Sequence, residues 1–253
     1  MTVSKEKGTL YVVATPLGNL KDITLRALEV LKGSDLIAAE DTRRTQKLLS
    51  AHDLHSPLIS FNENNKYRKI PHLLERMEQG QQISLVTDGG TPGISDPGRE
   101  LVQEARKAHI PVVPIPGPSA LTCALSASGL AGDSFVFLGF LPRRKSRRIK
   151  ILQEMKEQKR TVIFYEAPHR IKNLLEEIQS VLGEREVVLA RELTKVYEEI
   201  ISGPINHLIG QLSGREPKGE YTLMLSPMNS ERILRQTKGV FPPKSGLASE
   251  LQQ

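Results

Sequence analysis

The chain has no tryptophan, and aromatic residues make up only 4% of its 253 positions. That scarcity excludes a platform on which single-stranded nucleic acid could stack base by base. A single cysteine, Cys123, excludes an internal disulfide and fits a reducing compartment. It sits in a small-residue helical pattern and is expected to be a buried structural thiol. The six histidines form no metal-ligand spacing, so no metal is expected. No apolar run approaches the roughly 18 residues that span a bilayer, and the first eight residues carry no signal-peptide core. These features lead to the expectation of a cytoplasmic protein without a membrane partner. Neither the glycine fingerprint of a dinucleotide fold nor a phosphate loop occurs. A cofactor at a strand end would therefore be held by backbone groups, with no pyrophosphate to cradle.

What is present describes a globular protein of one large or two small domains, with 38% hydrophobic and 25% charged residues. Its net charge of +6 favours a polyanionic partner. Short β-branched or apolar runs at residues 9–15, 35–39, 58–61, 83–88 and 112–115 read as strands. They alternate with helical segments at 24–32, after residue 42, at 69–79 and after residue 98, with Asp22 placed to cap the first and Pro71 near the start of the third. That alternation predicts βαβ units and a parallel sheet. Three prolines around one glycine at 114–118 make a stiff crossover to a second half. There, strands at 135–140, 161–165, 187–192, 197–202 and 220–226 and helices at 119–128, after 142, at 170–182 and at 205–212 predict a mixed sheet. The expected organisation is a flexible lead-in at 1–8, an α/β domain at 9–115, a second at 116–226 and a loosely held tail at 227–253, polar apart from Ile233, Leu234, Val240 and Phe241.

The most informative stretch is residues 83–98, where an apolar strand ends in Asp88-Gly-Gly-Thr-Pro-Gly-Ile-Ser-Asp-Pro-Gly98. Glycine admits backbone angles closed to other residues and lets a ligand approach the main chain, while proline fixes the chain. Four glycines and two prolines in these eleven residues make a shaped ligand loop at the carboxyl end of a buried strand. With the loop at 16–19, the turn at 116–120 and the segment at 190–194, it is expected to converge on a pocket between the halves.

Six motifs in order carry a resemblance. They are Thr15-Pro-Leu-Gly-Asn-Leu-Lys-Asp-Ile-Thr24, Ala39-Glu-Asp-Thr-Arg43, the Thr87 to Gly98 stretch, Pro116-Gly-Pro-Ser-Ala120, Gly139-Phe-Leu-Pro142 and Glu166-Ala-Pro-His-Arg170. Over roughly residues 8 to 226 the chain resembles the ribosomal-RNA-modifying branch of the tetrapyrrole methylase superfamily. The resemblance implies a two-domain α/β methyltransferase outside the Rossmann class, using S-adenosylmethionine. It implies a substrate as well, the ribose 2′-hydroxyl of a cytidine in the decoding region of small-subunit (16S) ribosomal RNA within the 30S particle, and a homodimer. Carried over by motif, the cofactor contacts are Pro16, Leu17, Asp88, Gly89, Gly90, Thr91, Pro92, Gly93, Ile94, Ser119, Ala120 and Leu193, with Phe140 and Tyr165 added. Gly89 stands where relatives often have Ala.

Transfer of a methyl group to an alcohol needs in-line positioning and a group to take the hydroxyl proton. Glu166, Glu192 and Lys195 are candidates for that base, with Asp41 and His169 behind them, and each has an alternative as a helix start, cap or surface pair. RNA needs cations, and the run from Arg143 to Lys150 supplies six in eight residues. Its candidates are Arg143, Arg144, Lys145, Arg147 and Arg148, joined by Arg43, Arg44, Lys47 and Arg170. Positive charge opposes the helix dipole at such a start, which favours a phosphate partner. Two other readings stay open: methylation of a small acidic tetrapyrrole, and a non-enzymatic ribosome-assembly factor.

Overall fold

The computed structural model describes residues 6–228, residue 215 excepted. The expectations for residues 1–5 and for the tail beyond 228, with its four apolar side chains, lie outside the described residues. The chain divides into two compact units with the boundary between Ser119 and Ala120. Gly8 is not a free lead-in. Its amide donates to the Met77 carbonyl at 2.7 Å, and a Cβ at Gly8 would meet the Gln81 carbonyl oxygen at 1.9 Å.

In the first unit β1 (Leu10–Val13), β2 (Leu36–Ala39), β3 (Leu58–Ser60), β4 (Ile83–Val86) and β5 (Val112–Ile115) form an all-parallel sheet of order β3-β2-β4-β1-β5. Helices α1 (Leu25–Lys32) and α2 (Thr42–Ala51) bury Leu31 and Leu49 on one face against Val13, Ile37, Ala39 and Val86. On the opposite face α3 (Lys66–Glu78) and α4 (Arg99–Lys107) bury Leu73, Met77 and Leu101 against Leu10, Ala38 and Leu85. Burial on both faces is why β2 and β4 read as continuous rather than alternating runs. Ser84 is the polar exception in β4, and its hydroxyl is satisfied by Ser34 at 2.6 Å. Pro114 lies within β5, opposite Val12, where an edge strand tolerates a residue without an N–H.

Three local expectations change. Thr24, not Asp22, caps α1, accepting from the Ala27 amide at 3.1 Å; Asp22 ends a separate 3₁₀ turn, Leu20–Asp22. Helix α3 begins three residues before 69, because Lys66 is buried and held by Glu63 and Glu100, both at 2.8 Å. That leaves Pro71 inside the helix rather than near its start. Cys123 is half-buried, not buried.

The second unit holds a mixed sheet of order β6-β7-β10-β8-β9, built from β6 (Phe135–Phe140), β7 (Thr161–Glu166), β8 (Glu186–Arg191), β9 (Glu199–Pro204) and β10 (Tyr221–Leu225). Strands β6 and β7 are parallel and the remaining pairs antiparallel. Helices α6 (Lys145–Glu154), α7 (Pro168–Leu182) and α8 (Ile205–Leu212) close one face, burying Leu152, Leu174, Ile178 and Leu208 on Phe164, Leu189 and Leu223. Helix α5 (Ala120–Ser128) lies against β10. Pro168 opens α7 at its first position, where a missing N–H costs nothing.

Arg148 departs from the expected basic face. Its guanidinium turns inward onto Glu177 in a two-point pair of 2.6 and 2.7 Å and donates to the carbonyls of Pro142 and Arg143. It is therefore a brace between α6 and α7, with four of its five N–H groups engaged within the protein. Breaking a buried pair strands the other charge. Arg148→Ala should accordingly destabilise the protein by about 3 kcal/mol in denaturant unfolding, against less than about 0.5 kcal/mol for the exposed neighbour Arg147→Ala.

Candidate functional site

The order of the first sheet places β1 beside β4, and the two strands hand the chain to helices on opposite faces. Their carboxyl ends therefore flank a topological switch point, the place where open α/β sheets hold ligands. The loops that follow are fastened to each other. Thr15 and Gly90 exchange backbone hydrogen bonds of 2.9 and 2.8 Å, and the Thr15 hydroxyl donates to the Thr87 carbonyl at 3.0 Å. Thr91 Oγ1 donates to the Pro118 carbonyl at 3.2 Å, which brings in the turn after β5.

Glycine is favoured here by space and, at two positions, by angle. A Cβ on Gly89 would lie 3.0 Å from the Pro16 carbonyl oxygen, a tight contact that a small side chain meets only with a slight shift of its neighbour. Gly90 sits at φ +91° and Gly98 at φ +140°, where a Cβ on Gly98 would press to 2.7 Å from Leu85. Ser95, at φ 66°, takes the left-handed region without being glycine. Pro16 and Pro92 are buried, Leu17, Thr91 and Gly93 half-buried, and Ile94 exposed. Thr87 Oγ1 is buried at the root of the loop with no hydrogen-bond partner among the described residues.

Acid groups frame the same edge. Asp88 accepts from the Asp41 amide at 3.0 Å and faces Arg44 at 3.5 Å, while its own amide donates to Glu40 at 3.3 Å. Glu40 was not among the expected site residues, although it follows β2 as Asp88 follows β4. Burial pushes the Glu40 carboxyl above its ordinary value, opposed by the Asp88 amide and aided by the Asp88 charge. Asp41 caps α2 through the Arg43 amide at 2.8 Å, and the Arg43 guanidinium holds its carboxyl far below the usual range. It is thus a cap and not a proton acceptor.

In the second unit the three expected bases part company. Lys195 is paired with Glu192 at 2.8 Å and Glu220 at 3.0 Å. Partial burial works to raise Glu192, but the bonds from Lys195 and the Glu220 amide outweigh it and its pKa falls. Burial likewise works to lower Lys195, and its two carboxylate partners outweigh that, so its pKa rises. Each is fixed in its charged form and serves poorly as a base near neutrality. Glu166 differs. Its side chain is 0% exposed, its Oε1 accepts from the Ala167 amide at 2.8 Å and meets Arg170 Nε at 3.1 Å, and its Oε2 has no partner among the described residues. Burial raises its pKa against the pull of that amide and of Arg170, Arg148 and His169.

Glu166 lines a cavity of about 370 Å³ together with Arg143, Arg148, His169, Arg170 and Asn173. Arg170 also donates to the Leu141 carbonyl at 2.8 Å and is not a free cation, whereas Arg143, Arg144, Lys145 and Arg147 are exposed. Arg43, Arg44 and Lys47 are exposed on α2 of the first unit. Tyr165 meets Phe137 edge-on at 4.9 Å between ring centres and Phe140 at 5.7 Å; Phe140 is 55% exposed, while Leu193 is buried. Ser119 precedes α5 and Ala120 is its first residue.

Residues 9–209 match the model of the Tetrapyrrole (Corrin/Porphyrin) Methylases. The chain belongs to the tetrapyrrole methylase family. A Halalkalibacterium halodurans protein named Ribosomal RNA small subunit methyltransferase I is 48% identical over 228 residues, 90% of this chain and 78% of its own length. The Thermotoga maritima protein of that name is 45% identical over 219 residues, 87% of this chain and 98% of its own. The crystal structure of uroporphyrin-III-C-methyltransferase from Thermus thermophilus superposes with a TM-score of 0.60 at 21% identity, covering 87% of this chain and 94% of that one. At that identity the likeness shows the fold alone.

The raised Glu40 gives a pH test. A carboxyl whose pKa is higher folded than unfolded removes stability as pH climbs from its ordinary value through the folded one. Glu40→Gln should therefore match wild type in urea unfolding below its ordinary value of 4.5 and exceed it at neutral pH. A constant difference across that range would show Glu40 to be unperturbed.

Proposed function

We propose that this protein is an S-adenosylmethionine-dependent methyltransferase of small-subunit ribosomal RNA, acting on the ribose 2′-hydroxyl of a cytidine in the decoding region. The observation that carries the reading is the glycine-lined edge of the first sheet, where Thr15 and Gly90 bind each other through backbone groups alone. Relatives at 48% and 45% identity named for ribosomal RNA methylation support the substrate. The six ordered motifs support the position and the oxygen acceptor, together with a homodimer acting in the cytoplasm on the 30S particle.

The edge fits the proposed cofactor. Gly89 leaves open a position that a Cβ would fill 3.0 Å from the Pro16 carbonyl, and the unpartnered Thr87 hydroxyl lies at its root. Pro16, Leu17 and residues 88–94 would hold S-adenosylmethionine by main-chain groups, with Ser119, Ala120, Phe140, Tyr165 and Leu193 as further contacts proposed from the resemblance. When bound, the cofactor supplies an electrophilic methyl group on a sulfonium. Carbonyl oxygens of such a loop can hold a polarised methyl by weak C–H···O contacts. Asp88 keeps the loops after β2 and β4 in register through the Asp41 amide. Of the three proton acceptors considered, Glu192 and Lys195 neutralise each other, and Glu166 alone keeps a carboxylate oxygen without a partner among the described residues.

The basic surface is narrower than its sequence suggested. Arg143, Arg144, Lys145 and Arg147 are exposed and are the proposed phosphate contacts of this unit. Arg43, Arg44 and Lys47 are proposed from the first. Such contacts strengthen binding without reading sequence. A small tetrapyrrole acceptor is the second reading, favoured only by the fold likeness.

Incubation with labelled S-adenosylmethionine should place label in 30S particles and not in tetrapyrrole precursors; the opposite distribution would overturn the proposal. Gly90→Val should cost about 1–3 kcal/mol of stability, because φ is +91° there, and should abolish cofactor binding in calorimetry of the folded variant. Unchanged affinity would remove this loop from the site. Replacing Arg143, Arg144 and Arg147 together with Ala should lower the slope of log affinity for 30S RNA against log salt by about 2 to 3, leaving cofactor affinity unchanged.

A further inference from the structure

Resting on the RNA reading above, we propose that the cavity lined by Arg143, Arg148, Glu166, His169, Arg170 and Asn173 is a subsite for one cytosine nucleotide of the RNA strand. In it Glu166 accepts a hydrogen bond from the exocyclic amine of the base.

Each lining group differs in what it has left to offer a ligand. The guanidinium of Arg148 is tied to Glu177 and two carbonyls, and that of Arg170 to Glu166 and the Leu141 carbonyl. Both charges are therefore already paired with carboxylates, which leaves little to neutralise a phosphate deep in the cavity. Glu166 itself would repel one. Its Oε1 already accepts from the Ala167 amide and faces Arg170, whereas Oε2 is buried without a partner among the described residues. A buried acceptor left unpaired costs about 1–3 kcal/mol, more when charged, and a ligand that brings an N–H removes that cost.

The rim differs from the floor. Arg143 and His169 are exposed at the mouth and can meet a phosphate, while Asn173 offers an amide with both donor and acceptor to the ring edge of a base. A carboxylate accepting from the cytosine amine is the standard pairing for that base, and uracil, with a carbonyl at the same position, would face Glu166 acceptor to acceptor. At about 370 Å³ the cavity falls within the size of small-ligand sites. Asn173 escaped the sequence reading, although it lies three residues beyond Arg170 on α7, one turn along the same helix face.

The full-length protein should bind cytidine monophosphate about tenfold more tightly than uridine monophosphate, as measured by calorimetry at millimolar nucleotide. In Glu166→Gln the amide oxygen keeps the Ala167 and Arg170 donors, so the NH₂ group turns to the cavity. The preference should then reverse toward uridine. Arg143→Ala should weaken both nucleotides alike and leave their ratio unchanged, and circular dichroism confirms that each variant is folded. Binding of neither nucleotide by wild type, equal binding of the two, or a ratio untouched by Glu166→Gln would each overturn the proposal. If Glu166→Gln does not fold, Asn173→Ala on the exposed face of α7 replaces it, and an unchanged ratio there overturns the proposal equally. Methyl transfer to 30S particles is measured apart from this. Base discrimination without methylation would sink the RNA methyltransferase reading and keep the pocket, and methylation without discrimination would do the reverse.

Discussion

The pair of backbone hydrogen bonds between Thr15 and Gly90 is the constraint on which the first unit's chemistry depends. They join the loops after β1 and β4, neighbouring strands that send the chain to opposite faces of the sheet. Side chains are restricted there by geometry: Gly90 stands at a positive φ and Gly89 lies close under the Pro16 carbonyl. What remains is a surface of peptide groups, which suits a ligand gripped by shape and weak polar contacts rather than by countercharges. The adjacent acids, Glu40 and Asp88, are occupied in holding loop to loop through amides.

That edge was legible in the sequence because glycine and proline carry positional meaning on their own. The order of short apolar runs and helical stretches likewise foretold one parallel and one mixed sheet. Illegible were the features made by partners distant in the chain. Arg148 looked like one more cation in a basic run, yet Glu177 lies 29 positions away and turns it inward. Lys66, read as lying before a helix, belongs to it because Glu100 from α4 reaches it. Glu192 and Lys195 looked like catalytic groups, but Glu220 completes their network from the lead into β10. Asp22 lost its cap to Thr24 by a local competition between two good capping residues, which propensity alone does not decide.

The second unit shows how burial sorts like residues into unlike roles. Arg148 with Glu177 is a satisfied pair that braces two helices. Glu166 with Arg170 is the unsatisfied counterpart, with one carboxylate oxygen unpartnered. Burial raises the pKa of Glu166 against too few partners, whereas at Glu192 the bonds from Lys195 and the Glu220 amide outweigh burial and lower it. Recognition is therefore assigned to Glu166, while the other acidic candidates hold structure together.

The most direct test of the account is a titration of S-adenosylmethionine into isotopically labelled protein, followed by amide NMR. The account predicts saturable shifts at Leu17, Gly89, Gly90, Thr91, Gly93 and Ile94, since the main chain of these loops is the binding surface. Saturable binding that leaves those amides unmoved would contradict it.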